Sequence, residues 1–162
     1  RDLLQAIKDK GLTVKTAKAG VIISFDPLLQ ISMLAPNSEK YQETNDYSAV
    51  IKLNYNNISF LFTGDAEAHS ETEILQQNPA ALKANILKVG HHGSRSSTSL
   101  PFLKAVAPEY AIISAGTNNS YGHPHQETLA RLEEVCTVYR TDRHGTVVMK
   151  SDGQTLNIST EH

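Results

Sequence analysis

Apolar residues recur along the chain in two spacings, one typical of strands and one typical of helices. Short apolar runs bounded by turn residues predict strands, and spacings of three and four predict amphipathic helices. The predicted strands are 21–25, 30–34, 49–55, 58–62, 86–89, 110–114, 137–140, 145–150 and 155–158. The predicted helices are a short one closed by Gly11, then 67–77, 99–106 and 124–135, with a polar loop over 35–46. Because strands and helices mix throughout and hairpins lie at both ends, the pattern predicts an α/β fold with a mixed sheet.

Particular residues predict turns and element ends. Asn56-Asn57 predicts a tight hairpin, since asparagine tolerates the left-handed conformation. Pro124 is expected near the first position of its helix, where its missing N–H costs nothing. Arg140 and Asp142 are expected to form an ion pair or turn at a strand end.

Length and composition narrow the class of protein. At 162 residues the chain can bury one sizeable core, which predicts a single domain over residues 1–162. A formal net charge of -2 argues against a broad basic face for nucleic acid. The single cysteine, Cys136, excludes an internal disulfide framework and a cysteine-rich zinc site. We expect it to be a small apolar residue at a helix end.

Two predicted strands are followed by residues of the kind that bind metals. The apolar run at 86–89 is followed by His91 and His92, and the strand at 58–62 is followed by Asp65. Imidazole nitrogens and carboxylate oxygens are common ligands of divalent metals. Since strand ends present polar groups at the edge of a sheet, the sequence predicts a metal site built on sheet-edge loops.

Each of these residues also has an alternative role. Asp65 could bridge two divalent ions, or it could cap the helix that follows, since aspartate is a favoured N-cap. Neighbouring side chains on an extended segment point to opposite sides. We therefore expect one of His91 and His92 to be a ligand and the other to orient a ligand, contact substrate or move a proton.

A third cluster lies in the glycine- and asparagine-rich loop after the strand at 110–114. His123 precedes a helix there, where it could bind metal, protonate a leaving group, hold a phosphate or act only as a cap. His69 and His125 are expected to be solvated, and His144 and His162 to be incidental. The candidate substrate contacts are Asn45, Ser94, Asn119, Tyr121 and His123.

These residues, in this order, resemble the metallo-β-lactamase-fold domain of ComEC-type competence proteins. The resemblance covers nearly the whole chain, and the ordered set is specific, although Thr-Gly-Asp alone would be weak. It rests on Asn45-Asp46-Tyr47-Ser48, Phe62-Thr63-Gly64-Asp65, Leu87 to Ser94, Ser114 to Pro124, and Arg140-Thr141-Asp142 with Gly145. The fold implied is a four-layer αββα sandwich with a site for one or two metal ions at one edge of its paired sheets.

The resemblance also implies roles for the candidate residues. Asp65 is similar to the bridging carboxylate, His91 or His92 to a metal ligand, and His123 to a ligand or acid at the mouth. Asp65, His92 and His123 are therefore the expected catalytic residues, with zinc or manganese as the metal. Asn45 stands near a position where many metallo-β-lactamase relatives carry a histidine ligand, which leaves one metal position incomplete.

The histidine-rich ligand motif that the family carries near its N-terminus does not occur in this sequence, which begins without methionine in a helical pattern. We therefore expect the C-terminal part of the domain, an incomplete sandwich without its N-terminal ligand segment. Exposed apolar sheet surface would pair with that missing segment or with a second copy in a homodimer. By resemblance, the protein would be bacterial and extracellular or membrane-associated.

Three functions remain open at this point. The leading one is a metal-dependent phosphodiesterase or nuclease in the intact parent, acting on single-stranded DNA during uptake. The second is a small-molecule (phospho)ester or lactone hydrolase, with Tyr47, Tyr55 and Tyr121 as candidates for an aromatic pocket. The third is a catalytically silent module that serves structure or partner binding, and this chain alone is expected to be inactive.

Overall fold

The structure, a computed structural model, describes residues 2–24 and 26–162 of the chain. Its helices are α1 (Asp2–Asp9), α2 (Ala68–Gln77), α3 (Leu100–Val106), α4 (Gln126–Glu133) and α5 (Thr141–His144). Its strands are β1 (Ile22–Ile23), β2 (Leu29–Ala35), β3 (Val50–Tyr55), β4 (Ile58–Phe62), β5 (Ile86–Lys88), β6 (Tyr110–Ile113), β7 (Thr137–Arg140), β8 (Val147–Ser151) and β9 (Leu156–Thr160). Short 3-10 turns span Thr44–Tyr47, Pro79–Ala81 and Gly90–Gly93.

Strands β1 to β7 form one sheet in the order of the sequence. The pairs from β1 to β4 are antiparallel, and the pairs from β4 to β7 are parallel. Helices α2, α3 and α4 make the three parallel crossovers, which tight turns cannot make. The predicted α/β fold with a mixed sheet is therefore confirmed, whereas the sandwich and its missing segment stay predictions.

One hairpin precedes the parallel strands in the sequence, and another follows them. Asn56 has a φ of 50° in the turn between β3 and β4, which confirms the predicted Asn-Asn hairpin. Strands β8 and β9 form a separate antiparallel pair. The two turns meet, because the Asn57 amide donates to the Gly153 carbonyl at 2.9 Å.

The main core lies on one face of the large sheet. Leu61, Leu87 and Ala111 stand side by side in register, and all three are fully buried. Helices α2 to α4 cover them with Ile74, Phe102, Leu103, Val106, Leu129 and Leu132. On the opposite face, Phe60 and Phe62 stack with ring centroids 6.1 Å apart, and Phe62 is 40% exposed.

Several element bounds differ from the prediction. β1 covers only two residues of the predicted 21–25, and Phe25 lies outside the described residues. α4 begins at Gln126 rather than at the predicted residue 124, so Pro124 lies just before the helix. The reason is that His125 still has extended backbone angles.

Two smaller predictions are confirmed. Arg140 and Asp142 form a two-armed ion pair, with the shorter arm at 2.5 Å, and this hydrogen bonding lowers the pKa of Asp142. Cys136 follows α4, half-buried, and donates from Sγ to the Leu132 carbonyl. Burial raises the pKa of this thiol to about 11, as expected for an apolar position.

None of the helices in residues 2–24 and 26–162 has the length and apolarity that a bilayer span requires.

Lys52 is a charged residue that is buried against this core. It faces the helix-covered side beside Leu61, is only 5% exposed and donates from Nζ to the Lys83 carbonyl. Burial lowers its pKa to about 8. The folded state therefore disfavours the charged form, whereas the unfolded chain keeps an ordinary lysine pKa of about 10.4.

We predict that stability rises as the pH increases from about 8 to about 10.4, because the unfolded state alone binds this proton in that window. Between these two pH values, the free energy of unfolding of the wild-type protein should rise by on the order of 3 kcal/mol more than that of Lys52→Met. Chemical unfolding at several pH values measures this difference.

The exposed Lys104 offers a matched control, and Lys104→Met should follow the wild-type pH curve. If the Lys52→Met and wild-type curves also run parallel, Lys52 does not titrate in this window and the prediction is wrong.

Candidate active site

Three loops meet at one edge of the sheet, because β4, β5 and β6 run parallel and their carboxyl ends lie together. The loops span 63–67, 89–99 and 114–125. The first two are joined directly, since the His91 amide donates to the Gly64 carbonyl at 3.0 Å. The predicted metal ligands and catalytic residues all lie on these loops.

Asp65 leaves β4 through a turn that suits glycine. Gly64 has a φ of 54°, and a Cβ there would lie 3.2 Å from Ser48 Cβ. Ser48 Oγ accepts a hydrogen bond from the Asp65 amide at 3.1 Å, and the Asp65 side chain is 46% exposed. Helix α2 begins at Ala68 with Glu67 in the cap position, so the alternative that Asp65 caps this helix is wrong.

His91 and His92 both have left-handed backbone angles, with φ of 46° and 53°. The expectation of an extended segment is wrong, because the chain makes a 3-10 turn over Gly90–Gly93. Non-glycine residues in this region cost roughly 1–3 kcal/mol each and persist where their surroundings fix them. The turn packs tightly, since a Cβ on Gly93 would lie 2.6 Å from Pro124 Cβ.

His92 is oriented by a backbone carbonyl. Its Nδ1 lies 2.7 Å from the Ser114 carbonyl oxygen, which can only accept, so Nδ1 is the protonated nitrogen of the neutral ring. Nε2 then carries a lone pair and lies 3.8 Å from Asp65 Oδ1. Metal-ligating histidines commonly donate their other ring N–H to a carbonyl in this way.

His91 is oriented by a carboxylate. Its Nδ1 lies 3.0 Å from Glu67 Oε1, which also accepts from Ser96 Oγ at 3.0 Å and from Asn45 Nδ2 at 3.1 Å. In the neutral ring Nδ1 is again the donor, and Nε2 carries the lone pair. Glu67 is not among the predicted site residues, because an acidic residue at the start of α2 suits the helix dipole. The sequence feature that could have indicated Glu67 as a site residue is its position two residues after Asp65.

Asn45 and Asp46 support the site from behind. Asn45 donates to Glu67, as above, and Asp46 is 4% exposed and accepts the Ser70 amide in the first turn of α2 at 3.2 Å. Both belong to the 3-10 turn Thr44–Tyr47. They therefore fix the start of α2 relative to the loop that carries Asp65.

His123 lies at the centre of an aromatic cluster. Its ring meets His91 and His125 edge-on, with centroids 5.5 Å and 4.8 Å away, and stacks on Tyr121 at 5.8 Å with 23° between the planes. Burial lowers the pKa of His123, and the neighbouring histidines lower it further. The neutral ring is favoured, which suits a proton acceptor or a ligand better than an acid.

Three other histidines have local roles. His125 was expected to be solvated within a helix, and this is wrong, because it precedes α4, is half-buried and accepts the Arg95 amide on Nδ1 at 3.1 Å. His69 lies on the surface as predicted, with its side chain 66% exposed. His144 accepts the Arg140 amide on Nδ1 at 2.9 Å.

A recess of about 350 Å³ opens beside His92. We call it the Tyr121 recess, and it is lined by His92, Ser114, Ala115, Gly116, Asn119, Tyr121 and His123. Its volume is at the low end of the roughly 300–1,000 Å³ typical of small-molecule sites.

The predicted substrate contacts divide into two groups. Asn119, Tyr121 and His123 line the Tyr121 recess, whereas Asn45 and Ser94 do not. Ser94 is only 6% exposed, and its hydroxyl lies 2.9 Å from that of Ser96.

Asn119 shapes the loop that forms the recess. Its Nδ2 donates to the carbonyls of Gly116 and His123 at 3.0 Å and 2.6 Å. Its Oδ1 accepts the His123 amide at 3.0 Å. The side chain therefore holds the two ends of the loop together.

Asp65 and His92 fit as two ligands of one metal ion. Zinc–nitrogen and zinc–oxygen bonds are each about 2.0–2.2 Å, so one ion can reach two donors that are 3.8 Å apart. Catalytic zinc usually takes three protein ligands. Within residues 2–24 and 26–162, no group of three or more His, Cys, Asp or Glu side chains is placed to hold a metal ion. The described residues therefore fit part of a ligand set.

Lys88 adds a positive charge to this edge of the sheet. Its Nζ donates to the Val89 carbonyl at 3.1 Å, at the end of β5. Burial lowers the pKa of Lys88, and the negative charge of Asp65 opposes that shift. The negative charge of Asp65 thus stabilises the charged form of Lys88.

Comparison with known proteins gives bacterial relatives. The chain is 38% identical over 146 residues to ComE operon protein 3 of Bacillus subtilis (strain 168), a match that covers 90% of the chain and 19% of that protein. It is 33% identical over 118 residues to competence protein ComA of Neisseria gonorrhoeae, covering 72% of the chain and 17% of that protein. It is 39% identical over 104 residues to recombination protein 2 of Haemophilus influenzae, covering 64% of the chain and 13% of that protein.

The chain thus spans about a fifth or less of the length of each of these relatives. No family model matches it.

We predict that the neutral rings of His91 and His92 are both protonated on Nδ1, the tautomer that is the minor form of free histidine. The cause is the pair of fixed acceptors, Glu67 and the Ser114 carbonyl. Long-range ¹H–¹⁵N correlation spectra at mildly alkaline pH distinguish the two tautomers, with the exposed His69 as the reference for the ordinary form.

Glu67→Ala removes the acceptor of one ring only, so His91 should lose this preference while His92 keeps it. Nε2 protonation of both rings in the wild-type chain would contradict the assigned orientations.

Proposed function

We propose that this chain is part of a metal-dependent hydrolase in a competence-type protein, and that the parent cleaves phosphodiester bonds of DNA. Its relatives indicate the competence-protein family and support a competence-related role. The observation that supports the hydrolase is the 3.8 Å separation of His92 Nε2 from Asp65 Oδ1, with His92 Nδ1 held by the Ser114 carbonyl so that Nε2 of the neutral ring is an electron-pair donor. Two electron-pair donors facing each other at this separation are stabilised by a cation that both can bind.

Zinc or manganese, as one or two ions, would supply hydroxide near neutral pH and stabilise negative charge on the phosphate. Asp65 and His92 are the proposed ligands in this chain, and His91, oriented by Glu67, is the next candidate. Because catalytic zinc usually has three protein ligands, we propose that further ligands come from another segment of the parent or from a second copy of the chain.

The other residues of the site have supporting roles in this proposal. The Ser114 carbonyl fixes the His92 ring, and Glu67 fixes the His91 ring. His123, whose neutral form is favoured, accepts a proton or contributes a further ligand. Single-stranded DNA is the proposed substrate because the relatives include proteins named for competence and for recombination.

The small-ester alternative depended on an aromatic pocket formed by three tyrosines. Of these, only Tyr121 lines the recess. Tyr47 packs edge-on against Tyr41 with centroids 4.9 Å apart, and Tyr55 pairs with Leu29 and Ile58 inside the sheet. These three tyrosines therefore do not form the aromatic pocket that this alternative requires.

The test is Asp65→Asn. The amide loses the charge that binds the ion, so metal affinity should fall by at least about 100-fold, the upper end of the effect typical of outer-sphere partners. Metal content is measured by mass spectrometry after dialysis against trace zinc and manganese, and cleavage of single-stranded DNA is measured in the full-length parent. Asp9→Asn, on the exposed face of α1, is the matched control.

Loss of both metal and cleavage in the parent carrying Asp65→Asn, but not Asp9→Asn, supports the proposal. Cleavage at the wild-type rate in the Asp65→Asn parent overturns it. A wild-type parent that binds no metal and cleaves no DNA supports the catalytically silent module instead.

A further inference from the structure

The loop after β6 forms a flat aromatic surface next to the candidate metal pair. Tyr121 is 78% exposed, yet its ring is held nearly parallel to His123, with 23° between the planes. The Tyr121 ring therefore packs on His123 with one face and is exposed to solvent on the other, at the wall of the Tyr121 recess. We propose that this recess binds one unstacked nucleobase of a single-stranded nucleic acid, with Tyr121 as the stacking platform. This inference rests on the proposed function and specifies its substrate.

The recess suits a single base better than a duplex. At about 350 Å³ it has room for one planar heterocycle with its sugar, whereas the bases of a duplex are covered by their neighbours. Exposed aromatic side chains bind bases of single strands by stacking, which tolerates any sequence. Tyr121 is placed for this contact.

The chemistry of the lining also favours a base over a phosphate. No lysine or arginine is among the seven lining residues, all of them within the described chain. A phosphate in the recess would therefore lack the charged donors that normally bind it.

The platform is organised before any ligand binds. Asn119 donates from Nδ2 to the carbonyls of Gly116 and His123 and accepts the His123 amide on Oδ1. These hydrogen bonds close the loop that carries Tyr121. Gly116 leaves the wall open, since a Cβ there would meet nothing within 4 Å. A preorganised site loses less conformational entropy on binding. Asn119 is accordingly a positioning residue.

His92 connects the recess to the reaction that we propose. It lines the recess, and its Nε2 faces Asp65. A base stacked on Tyr121 would therefore hold its attached phosphodiester near the Asp65–His92 pair. Stacking would supply affinity that does not depend on the metal.

The experiment is a titration of the metal-free 162-residue chain, in the presence of a chelator, followed by NMR. Three probes are compared: deoxyadenosine, 5′-dAMP and deoxyribose 5-phosphate. We expect the two base-containing probes to shift the Tyr121 ring resonances, and their adenine protons to move upfield through the ring current. Deoxyribose 5-phosphate should leave Tyr121 unaffected.

Two variants of Tyr121 separate stacking from other contacts. Tyr121→Ala should weaken 5′-dAMP binding by about tenfold or more, whereas Tyr121→Phe, which keeps the ring, should stay within about twofold of wild type. Equal weakening in both variants would show that the hydroxyl carries the contact and would overturn the stacking platform.

Two further results would overturn the proposal. One is that deoxyribose 5-phosphate shifts Tyr121 as strongly as 5′-dAMP does. The other is that 5′-dAMP causes no shift up to its solubility limit. Because the titration is run on the metal-free chain, a failed metal hydrolase and a failed base site give different results.

Discussion

The left-handed backbone at His91 and His92 sets the direction in which both imidazoles leave the sheet edge. On an extended strand these side chains would point to opposite sides. In the observed turn, one ring reaches the Glu67 carboxylate and the other reaches the Ser114 carbonyl, each through Nδ1. Both Nε2 atoms are thereby left as electron-pair donors. The arrangement of the whole candidate site depends on this turn.

Such a turn needs support from outside itself, because two left-handed residues cost several kcal/mol together. The His91 amide is held by the Gly64 carbonyl, and the Ser97 hydroxyl donates to the Gly90 carbonyl at 2.9 Å. Gly93 packs against Pro124 so closely that no side chain fits there. The neighbouring loops thus hold a conformation that the segment would not adopt alone, as is typical of functional sites.

The sequence was informative where local rules decide the structure. Strands β4 and β5 could be predicted from their apolar runs, and the placement of Asp65, His91 and His92 at one edge followed from where those runs end. It was misleading where distant contacts decide. The left-handed turn depends on contacts with Gly64 and Pro124, which are distant in sequence, and Glu67 becomes part of the site because His91 is turned toward it.

Electrostatics explain why a metal site and a base site would belong together in this chain. Asp65 and Glu67 place two carboxylates at the edge where a phosphodiester would have to approach, and the formal net charge of the chain is -2. These two negative charges exceed the single positive charge that Lys88 contributes to the same edge, so the proposed metal would reverse the sign of the local field. Charge then provides little affinity before the metal is bound. An uncharged stacking contact at Tyr121 avoids this dependence, because its strength comes from the ring surfaces rather than from the field. The substrate would thus be held by its base and cleaved at its phosphate.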